Sequence, residues 1–194
     1  MIPVAGFFVF AILYLIAASS YPGGSEADPQ ADNFSWRHNY WCDLLEKTSE
    51  NGLPNMARPF AISGMAVLCL SLIMFWYIVP RWLLVRDWMK GIIRISGIVS
   101  MCTLVFLDTN QHDIVINIAV LSGLTAMTFT LYGLSTMKHF TLLTIGLLCL
   151  LLCVANTYIY YSQNGLNALA AVQKITFFIF LLWFCLVLWR LPEN

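Results

Sequence analysis

Charge is what this chain has least of. A soluble domain of ordinary composition carries about a quarter of its residues as Asp, Glu, Lys and Arg. Here those residues make up 10% of 194, and 60% of the chain is hydrophobic. So few charges leave no polar shell for a water-soluble core. Ten basic residues balance ten acidic ones, so no net charge points to nucleic acid, and no such partner is expected. The strict alternation of a membrane barrel is also missing, which leaves helices as the way to satisfy the backbone in lipid. Cysteine is nearly confined to the apolar runs. Only Cys42 lies in a loop, so no disulfide framework is expected, and Cys69, Cys102, Cys149, Cys153 and Cys185 read as small apolar packers. Only three histidines occur, and no HExxH or HxxxH motif is present.

What is present is a set of long apolar stretches, each near the roughly 20 residues a helix needs to cross the hydrocarbon core. They predict spans at Ile2 to Ser20, Pro59 to Val79, Gly91 to Leu107, Asp113 to Met137, Phe140 to Tyr161 and Ala168 to Trp189. The first lacks a basic leading region and a clear cleavage site, so it is expected to remain as a span. The fold class expected is all-α: a six-helix transmembrane bundle forming one integral membrane domain over residues 1–194. One long external loop would carry a short interfacial helix.

Basic residues orient the bundle. Arg81, Arg86, Lys90, Arg94, Lys138 and Arg190 cluster at one set of ends, expected to be cytoplasmic together with both termini. A plasma membrane location is expected. The opposite side holds the long loop from Tyr21 to Arg58. Its YPGGSEADPQAD half is rich in turn formers and reads as irregular. In FSWRHNYWCDLLEKT, Trp36, Tyr40, Trp41, Leu44 and Leu45 fall at helical spacing, which predicts an amphipathic interfacial helix capped by Ser35. Arg37 lies inside its apolar sector, either snorkelling outward or meeting an anion beneath. His38 lies outside that sector. Asn33 to Ser35 matches a glycosylation acceptor. RWLLVRDWMK, Arg81 to Lys90, interleaves bases with Trp and Leu; it reads as a topological anchor, with a lipid-headgroup site as the alternative.

Ionisable groups inside spans are costly and therefore informative. Lys174, beside Gln173, lies six residues into the last predicted span. FLDTNQHDIVIN places Asp108, His112 and Asp113 at the turn between the third and fourth spans, on the same side, with Asn117 one helical turn from Asp113. Asn156 adds an amide from the fifth. These residues, with Arg37 and His38 above them, form the expected outward-opening pocket. The bland alternative is that the aspartates are helix caps or solvated loop residues and Lys174 is held by a single ion pair.

Such a pocket suits a lipid headgroup or small amphiphile, bound without chemistry or cofactor, so the expected partner is membrane lipid. Metal-dependent hydrolysis of a lipid-like substrate is the alternative, with His38, His112 and Asp108 as ligands. A small transporter is a third possibility, though the other halves of the helices carry almost no polar lining.

NYWCDLL, NMARPFAISGM, FLDTNQHD and VQKITFFIFLLWFCLVLWRL together resemble the domain of unknown function family numbered 998, prokaryotic relatives of the Frag, DRAM and Sfk membrane proteins. The resemblance runs over nearly the whole chain. It implies a six-helix bundle in a prokaryotic membrane, no established catalytic activity, and counterparts of the family motif at Asp108, His112, Gln173, Lys174, Trp183 and Arg190. Lys174 stands where the family pattern has arginine, so a point charge replaces a bidentate fork.

Overall fold

The computed structural model describes residues 2–104 and 112–193, with the side chains of all of these except 112, 113 and 193. The described chain is all-α: α1 (Ile2–Ser19), α2 (Arg58–Ile78), α3 (Asp87–Thr103), α4 (His112–Thr136), α5 (Phe140–Ser162) and α6 (Leu166–Arg190). No strand occurs among the described residues, only two isolated bridges, Ser25 with Asp28 and Thr48 with Pro54.

Local chemistry sets the helix ends. Pro59 sits in the first turn of α2, where its missing N–H costs nothing. Pro80 then closes that helix, because it has no N–H to donate and its ring crowds the carbonyl four residues back, and α2 gives way to the short 3₁₀ turn Val79–Arg81. At the end of α4 the His139 N–H reaches back to the Leu134 carbonyl at 3.0 Å, and Lys138 takes a left-handed φ of 60°.

Five of these helices, all but α3, are long and apolar enough to cross a membrane. Their large apolar side chains point outward: Phe8, Leu70 and Leu151 are 67%, 63% and 64% exposed. Water would not tolerate so extensive a greasy surface, whereas acyl chains do. This is an integral membrane protein. Helix α3 has 17 residues and ends at Thr103, short of the Leu107 expected; residues 105–107 lie outside the described part.

Contacts divide the chain into two compact units. One comprises Met1–Gly6, Leu68–Leu150 and Phe180–Asn194. Its core is aromatic: Phe75, Trp76, Trp183 and Phe184 meet at ring separations of 4.6 to 6.2 Å. Glycine makes that packing possible, since a Cβ on Gly97 would collide with the Trp76 ring and one on Gly146 would meet Trp183 Nε1 at 2.9 Å. The Trp183 indole donates to the Leu142 carbonyl at 2.8 Å, so its buried N–H is satisfied. Ser100 likewise donates across from α3 to the Ala119 carbonyl of α4 at 2.7 Å.

The other unit comprises Phe7–Val67 and Leu151–Ile179. Its distinguishing part is the segment between α1 and α2, where Tyr21, Phe34, Trp41 and Leu44 are buried. The half expected to be irregular is tightly bonded. Gly23 and Gly24 adopt φ of 121° and 83°, and a Cβ on either would strike backbone, so only glycine fits. The Gly24 N–H donates to the Ala31 carbonyl at 2.7 Å, and Asn51 Nδ2 donates to the Pro22 carbonyl at 3.0 Å.

The interfacial helix expected around Trp36 to Leu45 does not form. A turn at Ser35–Asn39 is followed by the single 3₁₀ turn Cys42–Leu44. Side-chain competition for the backbone accounts for this, since Asp43 Oδ2 takes the Tyr40 N–H that a helix would bond to the Trp36 carbonyl.

Candidate functional site

Asn39 organises the centre of the loop unit. Its side chain is wholly buried and fully used: Nδ2 donates to the Gly24 carbonyl and to Asp43 Oδ2, both at 2.8 Å, while Oδ1 accepts from the Ser35 N–H at 2.8 Å. Asp43 Oδ2 also accepts the Tyr40 N–H at 2.9 Å. A second asparagine, Asn55, donates to the Asp43 and Glu46 carbonyls at 3.0 and 2.9 Å.

Lys174 enters this frame from α6. It is 5% exposed, and its ammonium donates to the backbone carbonyl of Asn39 and, at 3.2 Å, to that of Ala170. The rings of Phe34 and Trp41 lie 5.5 and 5.8 Å from Nζ, close enough for their negative faces to attract the cation. Around them Phe10, Tyr14 and Phe177 complete an aromatic wall, with centroids 4.4 to 6.2 Å apart. The ammonium is thus met by carbonyl dipoles and π faces.

Asp43 provides the nearby negative charge. Burial pushes its carboxyl above the ordinary carboxylate value, and Glu50 pushes the same way. The bonds from Asn39 and Tyr40 and the charge on Lys174 act in the opposite direction. Burial similarly raises the hydroxyls of Tyr21 and Tyr40.

Three buried polar atoms in this unit have no hydrogen-bond partner: Asn156 Oδ1, Gln173 Oε1 and Trp41 Nε1. The Asn156 orientation is forced, because Nδ2 donates to the Leu152 carbonyl at 2.8 Å and to Thr176 Oγ1 at 2.7 Å. A carbonyl can only accept, so Oδ1 must be the open acceptor. Each such atom costs about 1–3 kcal/mol unless something supplies its missing partner.

The residues expected to line one pocket divide between the two units. Arg37, His38, Asn156, Gln173 and Lys174 belong to the loop unit, and Asn117 to the other, where it is exposed at the surface of α4. Arg37 is exposed; His38 is half-buried, its Nδ1 3.4 Å from Ser35 Oγ. Asp108 lies outside the described residues, and the side chains of His112 and Asp113 are likewise not described, so the expected pairing of Lys174 with these aspartates and the conditional metal set of His38, His112 and Asp108 fall there too. Among the described residues, no group of three or more His, Cys, Asp and Glu gathers as a metal site.

Sequence reasoning missed Asn39 and Asp43. Their signal is the i, i+4 pair inside NYWCD, which reads equally well as the polar side of a helix. No family model, curated protein or solved structure matches this chain.

Proposed function

We propose that the protein is a six-helix, multi-pass membrane protein whose loop unit holds a lipid headgroup or small amphiphile in an outward-facing polar pocket, without chemistry. The resemblance to the domain of unknown function 998 family fits this reading, as does a prokaryotic plasma membrane location with both termini cytoplasmic.

The observation that carries the reading is the set of open polar atoms on Asn156, Gln173 and Trp41, in the same unit as the buried ammonium of Lys174. A hydroxyl- or amine-bearing headgroup supplies donors for the two amide oxygens, and a phosphate or carbonyl oxygen accepts from the indole. Flanking aromatics then take the apolar portion.

Gln173→Leu separates binding from stability. Gln173 Oε1 makes no hydrogen bond with the protein, so losing it should leave the melting temperature unchanged or raise stability by about 1 kcal/mol. Native mass spectrometry of protein purified in mild detergent should show a co-purifying amphiphile on the wild type and less on the variant. Equal retention overturns the reading. Stoichiometric zinc that disappears in His38→Ala and His112→Ala would replace it with the hydrolase.

A further inference from the structure

The unit that contains Leu68–Leu150 carries a seam that the reading above does not use. Helices α3 and α4 pack antiparallel along it, as Ser100 beside Ala119 and Trp88 beside Phe129 require. At one end, Arg86, Trp88, Lys90 and Tyr132 border a hollow of about 770 Å³. Further along, Ile95, Val99, Leu121 and Thr125 border a second of about 490 Å³. Trp88, Ile92, Ile95 and Val99 follow one another at three- and four-residue steps, as do Leu121, Thr125, Phe129 and Tyr132. Each set therefore lies on one helix face. Trp88, on the rim of the first hollow, packs edge-on against Phe129 at 5.9 Å, and Ile92, one turn further along α3, borders the second, so the two hollows succeed one another along one α3–α4 groove.

We propose that this groove binds an anionic glycerophospholipid, its phosphate at Arg86 and Lys90 and one acyl chain along the α3–α4 seam. The charge at the mouth selects the headgroup. Arg81, Arg86, Lys90 and Arg94 face a single acid in the same stretch, Asp87, which is fully exposed and 3.7 Å from Lys90. So exposed a pair neutralises little. Arg81 and Arg94 are both stacked on Tyr77, at 4.5 and 5.1 Å, which leaves Arg86 and Lys90 to meet the phosphate.

The seam selects the tail. Its hydroxyls are spent on their own helices: Ser96 donates to the Ile92 carbonyl at 2.7 Å, Ser122 to Ile118 at 2.6 Å and Thr125 to Leu121 at 2.8 Å. Those three hydroxyl protons are therefore not offered to a polar guest. From Trp88 to Val99 the seam runs for about 16 Å at 1.5 Å per residue, close to the ~15 Å depth of one leaflet of hydrocarbon. Exposed Trp88 and Tyr132 sit at the charged end, where aromatic rings favour the headgroup level.

The test is competition between 1-palmitoyl-2-oleoyl-phosphatidylglycerol and the matched phosphatidylcholine on the purified full-length protein, read by native mass spectrometry. Wild type should retain phosphatidylglycerol preferentially, and less of it at high salt. Arg86→Gln with Lys90→Gln should cut that preference by roughly ten- to thirty-fold, with an unchanged melting temperature. Arg86→Lys with Lys90→Arg should keep it. Ser122→Trp, which fills the seam, should lower retention of both lipids. Equal retention of the two lipids by wild type overturns the proposal, as does a preference that survives the double glutamine variant. A dimer whose dissociation depends on the Ser122→Trp change would also overturn it, with a second copy as the occupant.

Discussion

The two units solve opposite electrostatic problems. In the loop unit one ammonium is taken out of water and given carbonyl dipoles, aromatic faces and a neighbouring carboxylate. At the mouth of the α3–α4 seam the cations stay at the surface, with one weak acidic partner among them. A buried charge must be answered from within the protein, because leaving it unmatched costs several kcal/mol. A charge at the membrane surface can leave its answer to lipid phosphate. The cation of the first arrangement is therefore answered within the fold, and those of the second are left for what the fold meets.

That contrast breaks first at Asn39. Asn39→Ala removes three side-chain hydrogen bonds in a fully buried position, and should destabilise by about 3 kcal/mol or more. Thermal unfolding in detergent measures it. A loss no larger than that of Arg86→Gln would erase the distinction between the units.

Lys174→Met comes next. It leaves the Asn39 carbonyl without its ammonium and Asp43 without its counter-charge, for a loss of about 2 kcal/mol. An unchanged or higher melting temperature would mean that methionine packs against Phe34 and Trp41 as well as the cation does, and the ammonium would no longer count as a pin.

The smallest effect is on pH. Asp43 titrates above its ordinary value in the folded chain, mainly through burial, so between its unfolded and folded values the folded state holds the extra proton. Stability from this group is full below the unfolded value and is lost as pH rises through the folded one. Asp43→Asn should flatten that part of the melting-temperature profile, and Lys174→Met should widen it upward by withdrawing a charge that favours the carboxylate. A profile that falls on acidification over the same range would contradict the assignment.

Length and apolarity made the helices readable, since lipid allows few alternatives to a continuous apolar run. Lys174 was legible for the same reason, as a charge that could not lie idle. Its partner was not. A backbone carbonyl has no letter in the sequence, and the Asn39 carbonyl is presented by turns that the spacing of Trp36, Trp41 and Leu45 disguises as helix. Pro22, Gly23 and Gly24 announced a turn, but not that its carbonyls would be ligands for Asn39 and Asn51. Side-chain to backbone bonds across 15 and 29 residues leave no periodicity to detect.

The bond from Lys174 to Asn39 joins residues 135 positions apart. A ribosome delivers the loop long before it delivers the helix that fastens it. During synthesis the bond to the Asn39 carbonyl cannot close until α6 arrives. Truncation ahead of Lys174 would release a product whose earlier helices can insert while its loop stays unlatched, giving quality-control proteases a ready mark of incompleteness.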